Sequence, residues 1–274
     1  MKSVKKVMFE SLIQPTLPGL VILGTDTDIG KTLVTCTIAN ALKSRGLGVG
    51  VFKPFASGCR KERGELVSDD AMALAHFSDS GHRLATINPI RFEKGLAPAV
   101  AARLLGQEID LCAINRSIEK IQVNSDVLLV EGVGGLLAPL DPSDPEVSNL
   151  DLAVRLNYPV VIVTRPNLGT LNHTAMTVKI LQERGVCIAG MVVNRYVVDP
   201  YSVVGDPTPE QTELLMNTNL DWLCLMTGLP ILMVLPDVAD LGVDPSRGQI
   251  PEEIHRQASL LDWRGMMDTR GRLG

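Results

Sequence analysis

The run Gly24-Thr-Asp-Thr-Asp-Ile-Gly-Lys-Thr32 has the spacing of a phosphate-binding loop: one residue, four more, then Gly30-Lys31-Thr32, with Thr25 at the usual first glycine. An apolar run enters it and an amphipathic run leaves it, which is the strand–loop–helix frame the chemistry needs. Backbone N–H groups along Thr27, Asp28, Ile29 and Gly30, and those opening the next helix, can then face phosphate oxygens at the positive end of the helix dipole. Lys31 would bring its charge to the β- and γ-phosphates, and the Thr32 hydroxyl is placed to ligate Mg²⁺. This predicts nucleotide binding; by itself it names no reaction.

Further polar residues stand where apolar runs end. Lys53 follows one such run, at the strand end where ligands of open α/β sheets collect. Glu131 closes Val127–Val130 and precedes a glycine-rich turn, the position of an acidic Mg²⁺ ligand. Asp70 opens a helical segment and is either a second acidic ligand or an ordinary first-turn carboxylate; Asp69 could exchange roles with it. His76, His82 and His255 form no metal-ligand spacing, and His173 reads as a positioned first-turn histidine.

The elements that must hold these residues alternate. Expected strands are Leu20–Leu23, Val49–Lys53, Val127–Glu131, Val160–Thr164, Ile188–Asn194 and Ile231–Leu235, continuous apolar runs of the kind found where helices cover both sheet faces. Expected helices are Lys31–Arg45, Asp70–Phe77, Asp110–Val123, Leu150–Leu156 and Thr174–Arg184, with Gly46 and Gly185 as stops. The fold class is therefore α/β, a mostly parallel sheet with helices on both faces and right-handed crossovers. Residues 1–18 read as an N-terminal extension and 19–274 as a single domain, with Asp141–Pro145 and Asp199–Pro209 as loops.

Composition agrees. A chain of 274 residues with 45% hydrophobic and 21% charged residues can bury a full core, which argues against disorder. A net charge of −5 without a dense Lys/Arg block disfavours nucleic acid. The uncharged run Trp222–Pro236 contains Gly228 and Pro230 and falls short of the roughly 20 apolar residues of a membrane span. The five cysteines are scattered without a CxxC, as in a reduced, cytoplasmic protein.

Several segments together resemble the dethiobiotin synthetases, ATP-dependent ligases with a P-loop NTPase-type sheet. They are the loop itself, Lys53-Pro-Phe-Ala-Ser-Gly58, Val130-Glu-Gly-Val-Gly-Gly135 followed by Pro139-Leu140, and Leu168-Gly-Thr-Leu-Asn-His173. The likeness runs from about Gly19 to Leu241 and is weak over Asp199–Met226. It implies carboxylation of 7,8-diaminononanoate by CO₂ (or bicarbonate) to a carbamate, phosphorylation of that carbamate by ATP with Mg²⁺, and closure of a cyclic urea.

The resemblance also implies roles. Lys53, Lys31 and Thr27 would be catalytic, with Lys53 neutralising the carbamate and the transferring phosphoryl group. Ser57 would bind the amine or carbamate end, and Gly169, Thr170, Leu171 and Asn172 the substrate carboxylate in the neighbouring subunit of a homodimer. Thr32, Asp70 and Glu131 would hold Mg²⁺, while Asn194, Pro236 and Asp237 would lie on the adenine side. Asp28 departs from the family's usual glutamate, and Ala99, after Pro98, from its usual histidine. The competing readings are a nucleotide switch of the MinD/ParA type, whose extra loop lysine is missing from Gly24–Thr27, and a regulatory module without ligase chemistry.

Overall fold

Strands made only of Val, Ile, Leu and Gly cannot leave either face in water. In the computed structural model, which describes residues 9–197, 208–237 and 248–268, the expected runs pair into one sheet. Along the chain come β1 (Gly19–Gly24), α1 (Lys31–Ser44), β2 (Val49–Phe52), β3 (Phe55–Ala56), the hairpin β4 (Arg60–Glu62) and β5 (Glu65–Val67), α2 (Asp69–Ser78), α3 (Leu84–Ile87), β6 (Ile90–Arg91), α4 (Pro98–Leu105), α5 (Leu111–Val123) and β7 (Val127–Glu131). Then follow α6 (Asn149–Leu156), β8 (Val160–Thr164), α7 (Thr170–Glu183), β9 (Ile188–Tyr196), α8 (Pro209–Thr227), β10 (Ile231–Pro236), α9 (Glu252–Ser259) and α10 (Trp263–Met267). The main sheet is six-stranded in the order β10-β9-β8-β1-β7-β2, and all its pairings are parallel.

Alternation along each strand feeds two cores. Leu20 and Ile22 of β1 pack with Ile38 of α1 and Leu74 of α2, while Val21 and Leu23 pack with Ile118 of α5 and Leu152 of α6. Each such side chain contributes about 1.5–3 kcal/mol by burial, so the sheet is the rigid part of the molecule. β1 lies between β7 and β8, and chain order reverses across it. The crevice at its carboxyl end is thus where a ligand fits.

Helix starts follow local chemistry. Ser68 caps α2 by accepting from the Ala71 N–H at 3.3 Å, and Asp110 caps α5 by accepting from the Ala113 N–H at 2.9 Å. Two expectations need correction. α7 begins at Thr170, not Thr174, because Gly169 takes a left-handed φ of 93° and lets the chain turn into the helix at once. α8 occupies most of the stretch left unassigned in 199–226; Thr208 and Gln211 form a capping box with Pro209 in the first turn, a sequence signal that was there to be read. Most of the Asp199–Pro209 loop lies outside the described residues.

The segment set apart as an extension also packs on the fold. Phe9 and Leu12 are buried in the core that contains Val21 and Leu23. The Ile13 N–H donates to Asn115 Oδ1 at 2.9 Å, and the buried Tyr158 hydroxyl donates to the Leu17 carbonyl at 2.8 Å. Among the described residues no helix is long and apolar enough to cross a membrane, and all five cysteines are free thiols.

Candidate active site

Three adjacent strands deliver the polar residues to one place. The loop between β1 and α1 carries Lys31 and Thr32, Glu131 ends β7, and Lys53 follows β2. Asp70, in the first turn of α2, closes the cluster from the side. The Thr32 hydroxyl lies 2.8 Å from Glu131 Oε1 and 3.0 Å from Asp70 Oδ1. It has one proton for two carboxylates, so hydrogen bonding alone leaves one approach uncompensated. Lys53 Nζ bridges the same acids, 2.5 Å from Glu131 Oε1 and 2.7 Å from Asp70 Oδ2.

The cluster is dry. Lys53 is 3% exposed and Glu131 fully buried, whereas the Asp70 side chain is 44% exposed and forms the rim. Burial alone would lower the Lys53 pKa, but Asp70 and Glu131 together outweigh it and hold the ammonium above its ordinary value. Burial likewise works to raise the Asp70 carboxyl, and Lys53, aided by the Thr32 hydroxyl, overrides it, leaving the pKa lowered. Lys31 is pushed down to about 8, first by burial and then by the charge of Lys53. Its Nζ donates to the Asp26 carbonyl at 2.8 Å, curling back over its own loop.

A hard cation fits this set. Glu131 Oε2 is buried without a hydrogen-bond partner, and oxygens of Thr32, Asp70 and Glu131 converge beside the phosphate loop. Among the described residues no three His, Cys, Asp or Glu side chains form a metal-holding group of their own. Mg²⁺ is usually held by one or two carboxylates together with substrate phosphates, and Asp70 and Glu131 are two carboxylates beside the loop.

The loop is shaped by left-handed backbone at Asp28 (φ 51°) and Gly30 (φ 91°). Thr27 and Asp28 are exposed at the crest, and Ile29 is buried beneath it. Gly30 is obligatory, since a Cβ there would collide with the Asn194 amide nitrogen. Asn194 itself is buried and donates to the Ile29 carbonyl at 2.8 Å, so it holds the loop, and its Oδ1 is buried without a hydrogen-bond partner. Pro236 ends β10 and Asp237 donates its N–H to the Tyr196 carbonyl at 2.7 Å, which places both at the far carboxyl edge of the sheet. Ser57 lies half-buried in the turn after β3 and makes no side-chain hydrogen bond within the described residues.

The turn Gly169–Asn172 has an inward and an outward part. Thr170 is buried, and its hydroxyl is shared with Thr164 at 2.9 Å and Thr174 at 3.4 Å; its N–H donates to Asn167. It faces inward and is committed to the protein. Leu171 and Asn172 instead line a groove of about 710 Å³ between α7 and α8, together with Met176, Lys179, Trp222 and Met226.

Two residues near the loop escaped the sequence reading. Arg165, just past β8, donates to the Thr27 and Asp28 carbonyls at 3.2 and 2.7 Å. Asn149 at the start of α6 pins the turn after Glu131, donating to Val133 and Gly135 carbonyls at 2.7 and 2.8 Å. A polar residue ending a buried strand flagged Lys53 and Glu131, and applied to β8 it would have flagged Arg165. Nothing in the local pattern marks Asn149.

A phosphate loop at the switch point of a parallel sheet, backed by a buried lysine and two carboxylates, defines a P-loop nucleotide-binding protein. The fold agrees with MinD of Aquifex aeolicus (TM-score 0.52, 16% identity, 88% of this chain and 94% of that one). It also agrees with a ParA family ATPase of Chlorobium tepidum (TM-score 0.51, 13% identity, 88% and 97%). Residues 18–244 match the family described as AAA domain. The chain is 36% identical over 230 residues to the ATP-dependent dethiobiotin synthetase of Thermodesulfovibrio yellowstonii, covering 82% of this chain and 91% of that one. To the enzyme of the same name from Bacillus licheniformis it is 36% identical over 227 residues, covering 82% and 88%. The chain belongs to the dethiobiotin synthetase family.

Proposed function

We propose that this protein is a dethiobiotin synthetase that uses Mg-ATP to close 7,8-diaminononanoate and CO₂ into the cyclic urea of dethiobiotin. One amine adds to CO₂ and releases a proton, giving a carbamate. The carbamate oxygen attacks the γ-phosphorus of ATP and ADP leaves. The second amine then attacks the carbamoyl carbon, phosphate departs, and the ring closes. Phosphoryl transfer of this kind asks chiefly for positioning and charge neutralisation.

The observation that carries the reading is Lys53, a buried ammonium held by Glu131 and Asp70 beside the phosphate loop. With its pKa raised it keeps its proton, so it serves as a fixed cation for the carbamate and the transferring group and not as a base. Lys31 is released from Asp26 to meet the β- and γ-phosphates, whose charge favours its protonated form. Asp28, Ile29 and Gly30 supply backbone N–H groups, the Thr27 N–H being taken by Asp26 Oδ1 at 2.7 Å, and Thr32, Asp70 and Glu131 would hold Mg²⁺, which would neutralise phosphate charge as it shifts. Ser57 receives the amine or carbamate, while Asn194, Pro236 and Asp237 flank adenine.

The carboxylate end of the substrate is taken by the N–H groups and Asn172 of the α7 turn in a second copy. Leu168 (88% exposed), Leu225 (73%) and Trp222 (52%) leave that α7–α8 side apolar, as a homodimer contact would be. The test is ADP release with Mg-ATP and bicarbonate, with and without 7,8-diaminononanoate, and the mass of the product. Diamine-dependent release with a product of dethiobiotin mass supports the reading. Release indifferent to the diamine, or ATP binding without turnover, refutes it.

A further inference from the structure

The crest of the phosphate loop is gripped from its outer side. Arg165 Nη2 donates to the Asp28 carbonyl at 2.7 Å and to the Thr27 carbonyl at 3.2 Å. The next carbonyl, Ile29, accepts from the Asn194 amide at 2.8 Å. Consecutive carbonyls of the crest are thus committed to side chains that arrive from β8 and β9. In a planar trans peptide the C=O and the following N–H point in opposite directions. Holding these carbonyls therefore turns the N–H groups of Asp28, Ile29 and Gly30 to the other side, and none of them has a hydrogen-bond partner within the described residues. A succession of N–H groups on one side of left-handed backbone is an anion-binding nest. Asp28 keeps φ 51° although it carries a side chain, at a cost of about 1–2 kcal/mol that surrounding contacts must offset.

We propose that Arg165 is a positioning residue for the ATP reaction: it fixes the peptides of Thr27 and Asp28 so that the N–H groups of Asp28 and Ile29 face the phosphates. This rests on the reading of the loop as the ATP site. Arg165 acts on the loop through its Nη2, which the two carbonyls engage, while its Nε is buried without a hydrogen-bond partner. The base of the clamp is rigid. Asn219 of α8 donates to the Pro166 carbonyl at 2.7 Å, and the buried Thr164 hydroxyl lies 2.8 Å from that of Thr174. Thr25 at the loop's root donates its N–H to the Val163 carbonyl at 3.1 Å, so β8 supports the loop at both ends.

The test compares wild type, Arg165→Met and Arg165→Lys in the whole chain, titrated with a non-hydrolysable Mg-ATP analogue and, by competition, with adenosine. Loss of charge-assisted hydrogen bonds to the crest weakens the triphosphate at least about tenfold in Arg165→Met. Adenosine affinity stays as in wild type, and Arg165→Lys, able to reach one carbonyl, falls between. In steady state the KM for ATP rises while that for the diamine does not. A merely structural role would lower the unfolding temperature and leave the ratio of triphosphate to adenosine affinity unchanged. A folded Arg165→Met within about twofold of wild type for the triphosphate overturns the proposal. Should that variant not fold, an unchanged ratio in Arg165→Lys overturns it equally. A wild type that binds the analogue but makes no cyclic urea removes the proposed reaction, and the titrations still decide the role of Arg165.

Discussion

Replacing Lys53 by methionine keeps an unbranched apolar stem, one atom shorter, and deletes the charge that Glu131 and Asp70 share. Glu131 is fully buried and Lys53 nearly so, and removing one partner of a buried pair costs about 3–5 kcal/mol because the other charge is left uncompensated. Asp70 is 44% exposed, so water screens its share, which adds at most about 1 kcal/mol. Nearly all the loss therefore comes from Glu131. Against a total stability of roughly 5–15 kcal/mol, the variant remains folded but with a clearly lower denaturation midpoint.

The pH dependence distinguishes this cause from lost packing. In wild type the Asp70 pKa is lowered, so its contribution is present above the ordinary 3.8 and is lost as pH falls through the folded value. The Lys53 pKa is raised, so its contribution is present below 10.5 and is lost as pH climbs through the folded value. Without Lys53 the two carboxylates repel, and one of them takes up a proton more readily in the folded state than in the unfolded one. The deficit of Lys53→Met should then shrink on acidification from pH 8 towards about pH 5. Urea unfolding followed by tryptophan fluorescence, in chelator, reads this directly, and Glu131→Gln in the same background should recover most of the loss. A deficit under about 1 kcal/mol at pH 8, one that grows towards acid, or strict additivity of the two changes would refute the reasoning.

Other perturbations follow from the same geometry. Lys31→Ala should keep the fold and lower kcat by roughly 10²–10³, the loss seen when one preorganised donor is removed; near-wild-type turnover takes Lys31 out of the site. Because the Lys31 pKa sits at about 8 and ATP selects its charged form, nucleotide affinity should be level below that pH. Above it, affinity should fall by up to about tenfold per pH unit, and a flat calorimetric profile from about pH 7 to 9.5 contradicts this. Gly30→Ala meets both a left-handed φ of 91° and the Asn194 amide. It should cost about 2–4 kcal/mol and abolish ATP binding, so a stable, ATP-competent Gly30→Ala protein is the contrary result. Trp222→Glu on the open face of α8 should give a monomer by sedimentation, with lower turnover but unchanged ATP affinity; a wild type already monomeric at working concentration removes the dimer.

What was legible in the chain follows from how each feature is encoded. β1, β7 and β8 announced themselves because strands buried on both faces must be apolar throughout, and the loop announced itself because its ligating groups are contiguous. The start of α7 was not legible. Thr170 to His173 look polar enough for a turn, and only the packing of Thr164 against Thr170 and Thr174 shows that the first helical turn faces inward. The same limit hid Arg165 and the loop-holding hydrogen bond of Asn194. A residue that binds phosphate through its own loop leaves a contiguous signature, whereas one that orients the loop comes from another strand and leaves only the general mark of a polar residue at a strand end. Strand order recovers part of it. Lys53 follows β2 and Glu131 ends β7 on one side of β1, while Arg165 follows β8 and Asn194 sits near the end of β9 on the other. In a parallel sheet all four must emerge on the carboxyl edge around the loop. The two on the β7 side meet each other as a charged cluster, and the two on the β8 side meet the loop backbone. One side thus gathers the charged groups, and the other sets the direction in which the loop's peptide groups point.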